Sequence, residues 1–359
     1  MSTRIYIIGS GVISHHHAMA RAELPGSELH AADPSEAARA SFQKEFPDAV
    51  MYESSDKMLA SPAGEDDLVV VSTPPRWHVS EALKALESGR SVLVEKPLAM
   101  NVAEAETLLA AAESRGLHIA VCGSRFQSWT LNRKVRSLIV DGTIGDVYLV
   151  DWMHRSLCSR TGIEYQNGSW WFLEKSKNGG GPLMDWGPYD FNTLLSILEP
   201  DSVTVDHAVC THPVIPEPIP EDAIFDTETQ AVAALTFTCG EKQVRIRFER
   251  TCATHGETVQ TEGVYGTEGY ISWNWLPFGE DLKLQIHKTT GPESVDVDTI
   301  SVDASKEPNW MFEPVLQFRN FLQGEEAIGM FDAKALHAFR LIQAVYESAE
   351  TGSPVTLNL

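Results

Sequence analysis

Asp185, Tyr189 and Asn192 stand inside NGGGPLMDWGPYDFN, residues 178–192, an otherwise apolar run preceded by three consecutive glycines. Their spacing places them on one face of a helix. A polar stripe on an apolar helix is either a solvated face or the wall of a site. The glycines remove side chains where something must approach closely, and the expected visitors are a cofactor ring and a substrate. A second reactive group is Lys96 in EKP (95–97), which stops the strand-like run SVLV. In open α/β sheets ligands bind at the carboxyl ends of strands. Lysine and tyrosine both have ordinary pKa values of about 10. A buried lysine beside another cation is pushed down toward about 7–8, where it becomes a useful base. Such a set fits proton transfer to and from an alcohol oxygen, with Tyr189 favoured as the acid/base group and Lys96 orienting and polarising the hydroxyl. The opposite division of labour remains open, and Asp185 would hold the hydroxyl or Lys96 unless it is a structural hydrogen-bond partner.

Alcohol chemistry of this kind needs a hydride acceptor, and GSGVIS (9–14) is the signal for one. It follows a short apolar strand and opens a helix. Gly9 makes the tight turn, Gly11 admits a pyrophosphate, and the helix amides and partial positive charge hold it. The third position of the glycine pattern is Ser14. Asp33 ends the next strand, where a carboxylate accepts from a ribose 2′-hydroxyl and repels a 2′-phosphate, so NAD is expected ahead of NADP. Asp33 also reads as a cap for the helix that Pro34 begins. The adjacent His15, His16 and His17 point in different directions on a helix and so do not share a metal ion. No metal is expected.

These groups require particular elements to carry them. Up to about residue 125, strand and helix alternate: RIYIIG, a helix over 11–24, ELHAAD, a helix over 34–46 with Pro34 in its first turn, AVMY, DLVVVST, a helix over 76–89, SVLVEKP, a helix over 101–116 with the capping pair Asn101 and Glu104, and HIAVCGS. That rhythm implies a parallel, doubly wound sheet. A helix follows at 128–141, then a long strand beginning GDVYLVDWMHR. From about 201 to 300 strands dominate (SVTVDHAV, TQAVAALTF, KQVRIRFE, GYISWNW, LKLQIHK), which suggests one antiparallel sheet. PVIPEPIPED (213–222) reads as a surface loop. Helices return at 308–323 and 332–350.

The 359 residues suit about two domains. A hydrophobic content of 43% with 22% charged residues fits a packed globular protein, and a net charge of −22 argues against nucleic-acid or anionic-membrane partners. Five widely spaced cysteines, Cys122, Cys158, Cys210, Cys239 and Cys252, argue against a disulfide framework or zinc site and fit a reducing cytoplasm. The N-terminus shows no signal-peptide pattern and no stretch is long and apolar enough to span a membrane.

Three pieces in order, GSGVISHHHA (9–18), STPPRWH (72–78) with VEKPLA (94–99), and GGGPLMDWGPYDFN (179–192), resemble the glucose–fructose oxidoreductase/inositol dehydrogenase (Gfo/Idh/MocA) family. WWFLEKSKNGGG (170–181), VYGTEGYISW (264–273) and AVYESAETGSPVTL (344–357) extend the resemblance over essentially the whole chain. It implies an α/β protein with a Rossmann domain at 1–125 and an α+β substrate and oligomerisation domain at 126–359 built on a large open, mainly antiparallel sheet, its last segment packing back on the first domain. It implies hydride transfer between a sugar or polyol carbon and NAD(P), and a dimer or tetramer formed through that sheet. The cofactor residues it implies are Gly9, Ser10, Gly11, Val12, Ile13, Asp33, Ser72, Thr73, Pro74, His78, Glu95 and Lys96. Lys96, Asp185 and Tyr189 match the catalytic positions. Tyr189 stands where most members have histidine and Asn192 where many have aspartate, a pattern similar to the glucose–fructose oxidoreductase and dihydrodiol or xylose dehydrogenase branches. Arg125, Trp152, His154, Arg155, Trp170 and Asn192 are the candidates for a carbohydrate-like substrate, since aromatic faces cover sugar C–H groups and arginines donate to oxygens. Core packing is the competing role for each tryptophan, and a purely structural role competes for His78. The alternatives to a sugar dehydrogenase are a dihydrodiol-type dehydrogenase and a non-catalytic dinucleotide-binding regulator.

Overall fold

The computed structural model describes residues 3–157, 169–212, 221, 223–279 and 281–359. Cys158 and most of the proline-rich stretch expected as a loop lie outside the described residues. The chain forms two compact units, one of Met1–Arg125 with Asn309–Phe339 and one of Phe126–Pro308 with Arg340–Leu359.

The first unit holds six parallel strands: β1 (Arg4–Ile8), β2 (Glu28–Ala32), β3 (Val50–Tyr52), β4 (Asp67–Val71), β5 (Val92–Val94) and β6 (Ile119–Val121), in the order β3-β2-β1-β4-β5-β6. This is the doubly wound order that reverses between β1 and β4, where such sheets bind nucleotides. Apolar side chains fill both faces, as buried parallel strands require. Ile5, Ile7, Leu29, Ala31, Leu68, Val70, Leu93 and Ala120 form a core with Phe42 and with Phe312, Val315 and Phe318. The last three come from residues 309–339, so this late segment completes the first core and does not belong with the second unit. It is tied at β6, where Ile119 N donates to Asp332 Oδ1 at 3.1 Å.

Helix boundaries follow local capping. The helix expected from residue 34 spans Glu36–Glu45, because Ser35 Oγ accepts from Ala38 N and is the cap, leaving Pro34 outside. Asn101 caps Val102–Glu113 as the sequence suggests, with Glu104 N on Asn101 Oδ1 at 3.0 Å. The first helix is shorter than expected, Val12–Ala18 followed by a 3-10 turn, Met19–Glu23.

Among the described residues the second unit holds nine strands: β7 (Val147–Arg155), β8 (Ser202–Thr211), β9 (Gln230–Cys239), β10 (Lys242–Thr251), β11 (Val259–Gly266), β12 (Gly269–Trp273), β13 (Lys283–Gly291), β14 (Ser294–Ser301) and β15 (Val355–Asn358). Their order is β14-β13-β12-β11-β7-β10-β9-β8-β15, and β7 with β10 is the parallel pair in an otherwise antiparallel sheet. The sequence pattern hides three of these strands. β14 is an exposed edge strand and so has no buried apolar face. β15 is short, and β11 carries Gln260 and Glu262 in the phase where apolar residues are expected.

One face of this sheet packs on the helix Pro182–Leu198, which runs unbroken through Pro188 and stacks Phe191 on Phe248 at 4.8 Å between ring centres. The glycines before it have an internal cause. A Cβ on Gly180 would lie 2.1 Å from the Tyr346 hydroxyl, and one on Gly181 would lie 1.8 Å from the Glu228 carbonyl oxygen. Gly179 takes the left-handed conformation that ends the preceding turn, with φ of 86°. The close approach predicted from the sequence is therefore made by the protein's own Glu228 and Tyr346. Gly181→Ala should lower unfolding free energy by about 3 kcal/mol or more. Gly256→Ala, whose new methyl meets nothing closer than 3.6 Å, should stay within about 0.5 kcal/mol of the parent. Urea unfolding of both variants checks the contrast.

Candidate active site

The turn after β1 is built for close backbone contact. Gly9 has φ of 96° and a Cβ there would lie 2.8 Å from the Ser72 carbonyl oxygen, so only glycine lets β1 and β4 end side by side. Ser72 locks the junction by donating its Oγ to Gly9 O at 3.1 Å. Gly11 is exposed, and a Cβ on it would meet nothing within 4 Å. The helix starting at Val12 has no side-chain cap on its N-terminus, and Val12 itself is exposed. An open, uncapped helix start with a glycine beside it fits the pyrophosphate of a dinucleotide. Ser14, the departure from the glycine pattern, is fully buried and turns its hydroxyl onto Gly11 O at 2.5 Å.

Asp33 serves the turn and the next helix together. Its Oδ2 accepts from Ser10 N and its Oδ1 from Ser35 N, both at 2.8 Å. Each oxygen keeps a second lone pair for a ribose hydroxyl. The capping role and the ribose role are thus compatible. Ile13 lies in the same first helical turn, and Pro74 precedes the 3-10 turn Pro75–Trp77. Thr73 has its Oγ1 buried without a hydrogen-bond partner. His78 reaches two carbonyls, Thr73 O at 2.8 Å and Pro97 O at 2.6 Å, and ties the loop after β4 to the loop after β5. Burial lowers its pKa, against the pull of those carbonyls. The Lys96–Pro97 peptide is cis.

Glu95 is the anchor of Lys96. Its Oε1 accepts from Arg125 Nη2 at 2.5 Å and from His17 Nε2 at 2.9 Å, while Oε2 accepts from Lys96 N at 2.9 Å. Burial pushes this carboxyl up, but Arg125, His17 and Lys96 outweigh it and hold Glu95 well below the usual range. Arg125 is itself buried, so the structure gives it this internal ion pair. His17, Glu95 and Cys122 bring one ligand-type atom each to within 4.8 Å of one another. A bound cation there would face the Arg125 guanidinium already on Glu95, and burial with the charge of Glu95 pushes the Cys122 thiol well above its usual range. The trio does not fit a metal centre. His15 pairs instead with Glu45, so neighbouring histidines do diverge. Cys122, Cys210 and Cys239 are free thiols.

In the second unit Asp185 and Tyr189 are both buried on the helix Pro182–Leu198. The Tyr189 ring sits edge-on to Phe126 and Trp186, at 5.1 and 5.5 Å between centres. Asn192 shares their face but turns its Nδ2 back to Pro188 O at 2.7 Å, leaving Oδ1 buried without a hydrogen-bond partner. Trp152 is core: its Nε1 donates to Asp190 Oδ1 at 2.9 Å and its ring packs on Trp275 at 4.9 Å. His154 follows two residues on along β7 and points to the same face of the sheet. Arg155 alternates to the other face and pairs with Glu249 at 2.6 Å, so the strand separates Arg155 from His154. Trp170 opens the 3-10 turn Trp170–Leu173.

Asp190, Arg250 and Glu262 escape the sequence reading, yet they make the polar centre beneath this helix. Asp190 and Arg250 form a buried bidentate ion pair. Glu262 lies opposite Trp152 in the β11–β7 register, has a buried, unpartnered Oε1, and is pushed by burial to a pKa of about 8. Strand parity was the available signal. Arg250 continues the phase of Val244, Ile246 and Phe248, and Glu262 that of Val264, so both are polar residues in a buried phase.

Residues 3–122 match the family described as "Oxidoreductase family, NAD-binding Rossmann fold", and residues 132–272 match the Gfo/Idh/MocA C-terminal domain. The chain belongs to the Gfo/Idh/MocA oxidoreductase family. Among curated members it is 33% identical over 172 residues to an inositol 2-dehydrogenase of Gluconacetobacter diazotrophicus, an alignment covering 46% of this chain and 49% of that one. The chain spans about half the length of the curated relatives it matches. Two solved structures share the fold over nearly the whole length. An oxidoreductase domain protein from Kribbella flavida has a TM-score of 0.81 at 23% identity, covering 99% of both chains, and a levoglucosan dehydrogenase in complex with NADH and levoglucosan has 0.80 at 20%, covering 100% of both. No described helix of this Gfo/Idh/MocA protein is long and apolar enough to cross a membrane.

His154 supplies a pH test of the second unit. Burial first, and Arg250 second, lower its pKa from 6.5 to about 3. The unfolded chain binds a proton near 6.5 that the folded chain refuses until about 3, so stability is full above the unfolded value and falls as pH drops between the two. Wild type should lose roughly 1–2 kcal/mol more than His154→Gln between pH 7 and pH 5, as read from urea midpoints at the two pH values.

Proposed function

We propose that this family member oxidises or reduces a sugar or polyol at a hydroxyl-bearing carbon, with NAD as its cofactor and NADP as the lesser alternative. The observation that carries the reading is the uncapped helix start beside the exposed Gly11, in the same nucleotide-binding unit as Lys96, whose backbone is pinned by the Glu95 ion cluster. A non-catalytic regulator would need the turn alone. The bound dinucleotide supplies hydride acceptance or donation. The chain's own residues handle the proton: Tyr189 takes it from the substrate hydroxyl, Lys96 orients and polarises that oxygen, and Asp185 holds the hydroxyl or Lys96. A tyrosine walled by Phe126 and Trp186 is shielded from water on those sides, which strengthens its charge interactions. His154 and Asn192, with buried unpartnered polar atoms, are the proposed substrate contacts. Cytoplasmic location and a dimer or tetramer through the nine-stranded sheet belong to the same proposal. The sheet face that carries Asp151 and Arg155 has ion pairs to Arg247 and Glu249, suited to a polar contact between copies.

Absorbance at 340 nm, followed across aldoses, polyols, inositols and sugar acids, tests the reaction. Tyr189→Phe should lower kcat by about 10²–10⁴-fold while NADH binding, read by fluorescence, is retained. Undiminished turnover in that variant would move proton transfer to Lys96 or Asp185. Asp33→Ser should reduce the preference for NAD over NADP at least tenfold, because it removes the carboxylate that repels a 2′-phosphate. Preferential NADP binding by wild type would overturn the cofactor assignment.

A further inference from the structure

Glu228 is buried at the start of the helix that carries Asp185 and Tyr189, and comes from the segment just before β9. Its Oε2 accepts from Gly181 N at 2.8 Å. Its Oε1 accepts from Leu183 N at 3.2 Å and from the Tyr346 hydroxyl at 2.9 Å. Pro182 between them has no N–H, so this one carboxylate meets both amide donors of residues 181–183. The next link is direct, for Asp185 N donates to Gly181 O at 3.0 Å. The chain Glu228–Gly181–Asp185 thus reaches a proposed catalytic group through two hydrogen bonds, and Tyr189 follows one turn later.

A serine or aspartate at position 181 would satisfy a helix start locally for about 1 kcal/mol. Here a buried acid from a distant segment does so, held by a tyrosine from another helix, at a desolvation cost that raises its pKa. A Cβ on Gly180 would lie under 3 Å from Tyr346, and one on Gly181 under 3 Å from Glu228. A slip of this helix by one residue in register would turn Asp185 and Tyr189 by about 100° each. We propose that Glu228, seated by Tyr346, is a positioning residue for the reaction, fixing the helix start so that Asp185 and Tyr189 share the orientation the substrate needs. This rests on the dehydrogenase reading.

The test uses the full chain with NAD and whichever sugar or polyol wild type turns over, with the variants Glu228→Gln and Tyr346→Phe. Kinetics are read below the unfolding midpoint of each variant. Glu228→Gln should lose at least tenfold in kcat and Tyr346→Phe about threefold, with KM for NAD changed less than twofold in both. Amide exchange over residues 181–189 should rise at least tenfold in Glu228→Gln. A merely structural role would lower the unfolding midpoint and leave kcat of the folded variant unchanged, and that result would overturn the proposal. If Glu228→Gln does not fold, Tyr346→Phe decides in the same way, since it removes one donor of three. If wild type turns over nothing, the dehydrogenase reading fails separately. Exchange alone then decides: an increase confined to 181–189 supports the clamp, and unchanged exchange overturns it.

Discussion

The buried carboxylate of Glu95 is the constraint on which the nucleotide-binding unit depends. It ends β5, takes Arg125 and His17 on one oxygen and the Lys96 amide on the other, and so joins the ends of two strands to the first helix. A carboxylate this deep costs several kcal/mol to desolvate and is tolerated only with its lone pairs filled. Removing any partner leaves a charge with nowhere to go. The lysine beside it inherits a fixed backbone, and His78 fixes the chain on the far side of Lys96 through Pro97 O. Geometry around Lys96 is thus set by buried polar contacts, while the apolar sheet behind it only supplies a platform.

The second unit uses the same physics with different residues. Asp190 and Arg250 neutralise each other beneath the helix Pro182–Leu198, Trp152 donates to the same carboxylate, and Glu228 caps the helix start. Asp190, Glu228 and Glu262 are among the acids buried in this unit. Each meets a different fate: Asp190 is paired with a guanidinium, Glu228 is surrounded by amide and hydroxyl donors, and Glu262 is raised to a pKa of about 8. The differences follow from how many donors each environment offers. Polar groups packed this way resist sliding more than apolar contacts do, because every small displacement leaves a donor or acceptor unpaired.

Much of this was legible along the chain. The alternation of strand and helix, the glycine turn, the capping of Val102–Glu113 by Asn101 and the polar stripe at Asp185, Tyr189 and Asn192 all appear in the structure where the sequence puts them. The errors have physical causes. Gly180 and Gly181 were read as room for a ligand, whereas they make room for Tyr346 and Glu228. Trp152 looked like a sugar platform and is a core residue because Asp190 satisfies its N–H. β11 was obscured by Gln260 and Glu262, two polar residues in the phase where apolar ones are expected, of which Glu262 is buried.

The sequence by itself determined what depends on neighbours in the chain: helix period, strand alternation, caps, and the backbone freedom of Gly9. These are set within a few residues by sterics and local hydrogen bonds. Only the tertiary structure decided that Arg125 neutralises Glu95, that residues 309–339 complete the first core, and that Glu228 and Tyr346 grip a helix whose own sequence contains no cap. The reason is that the cost of burying a charge or an amide depends on which distant group arrives to pair with it, and no local pattern records that arrival.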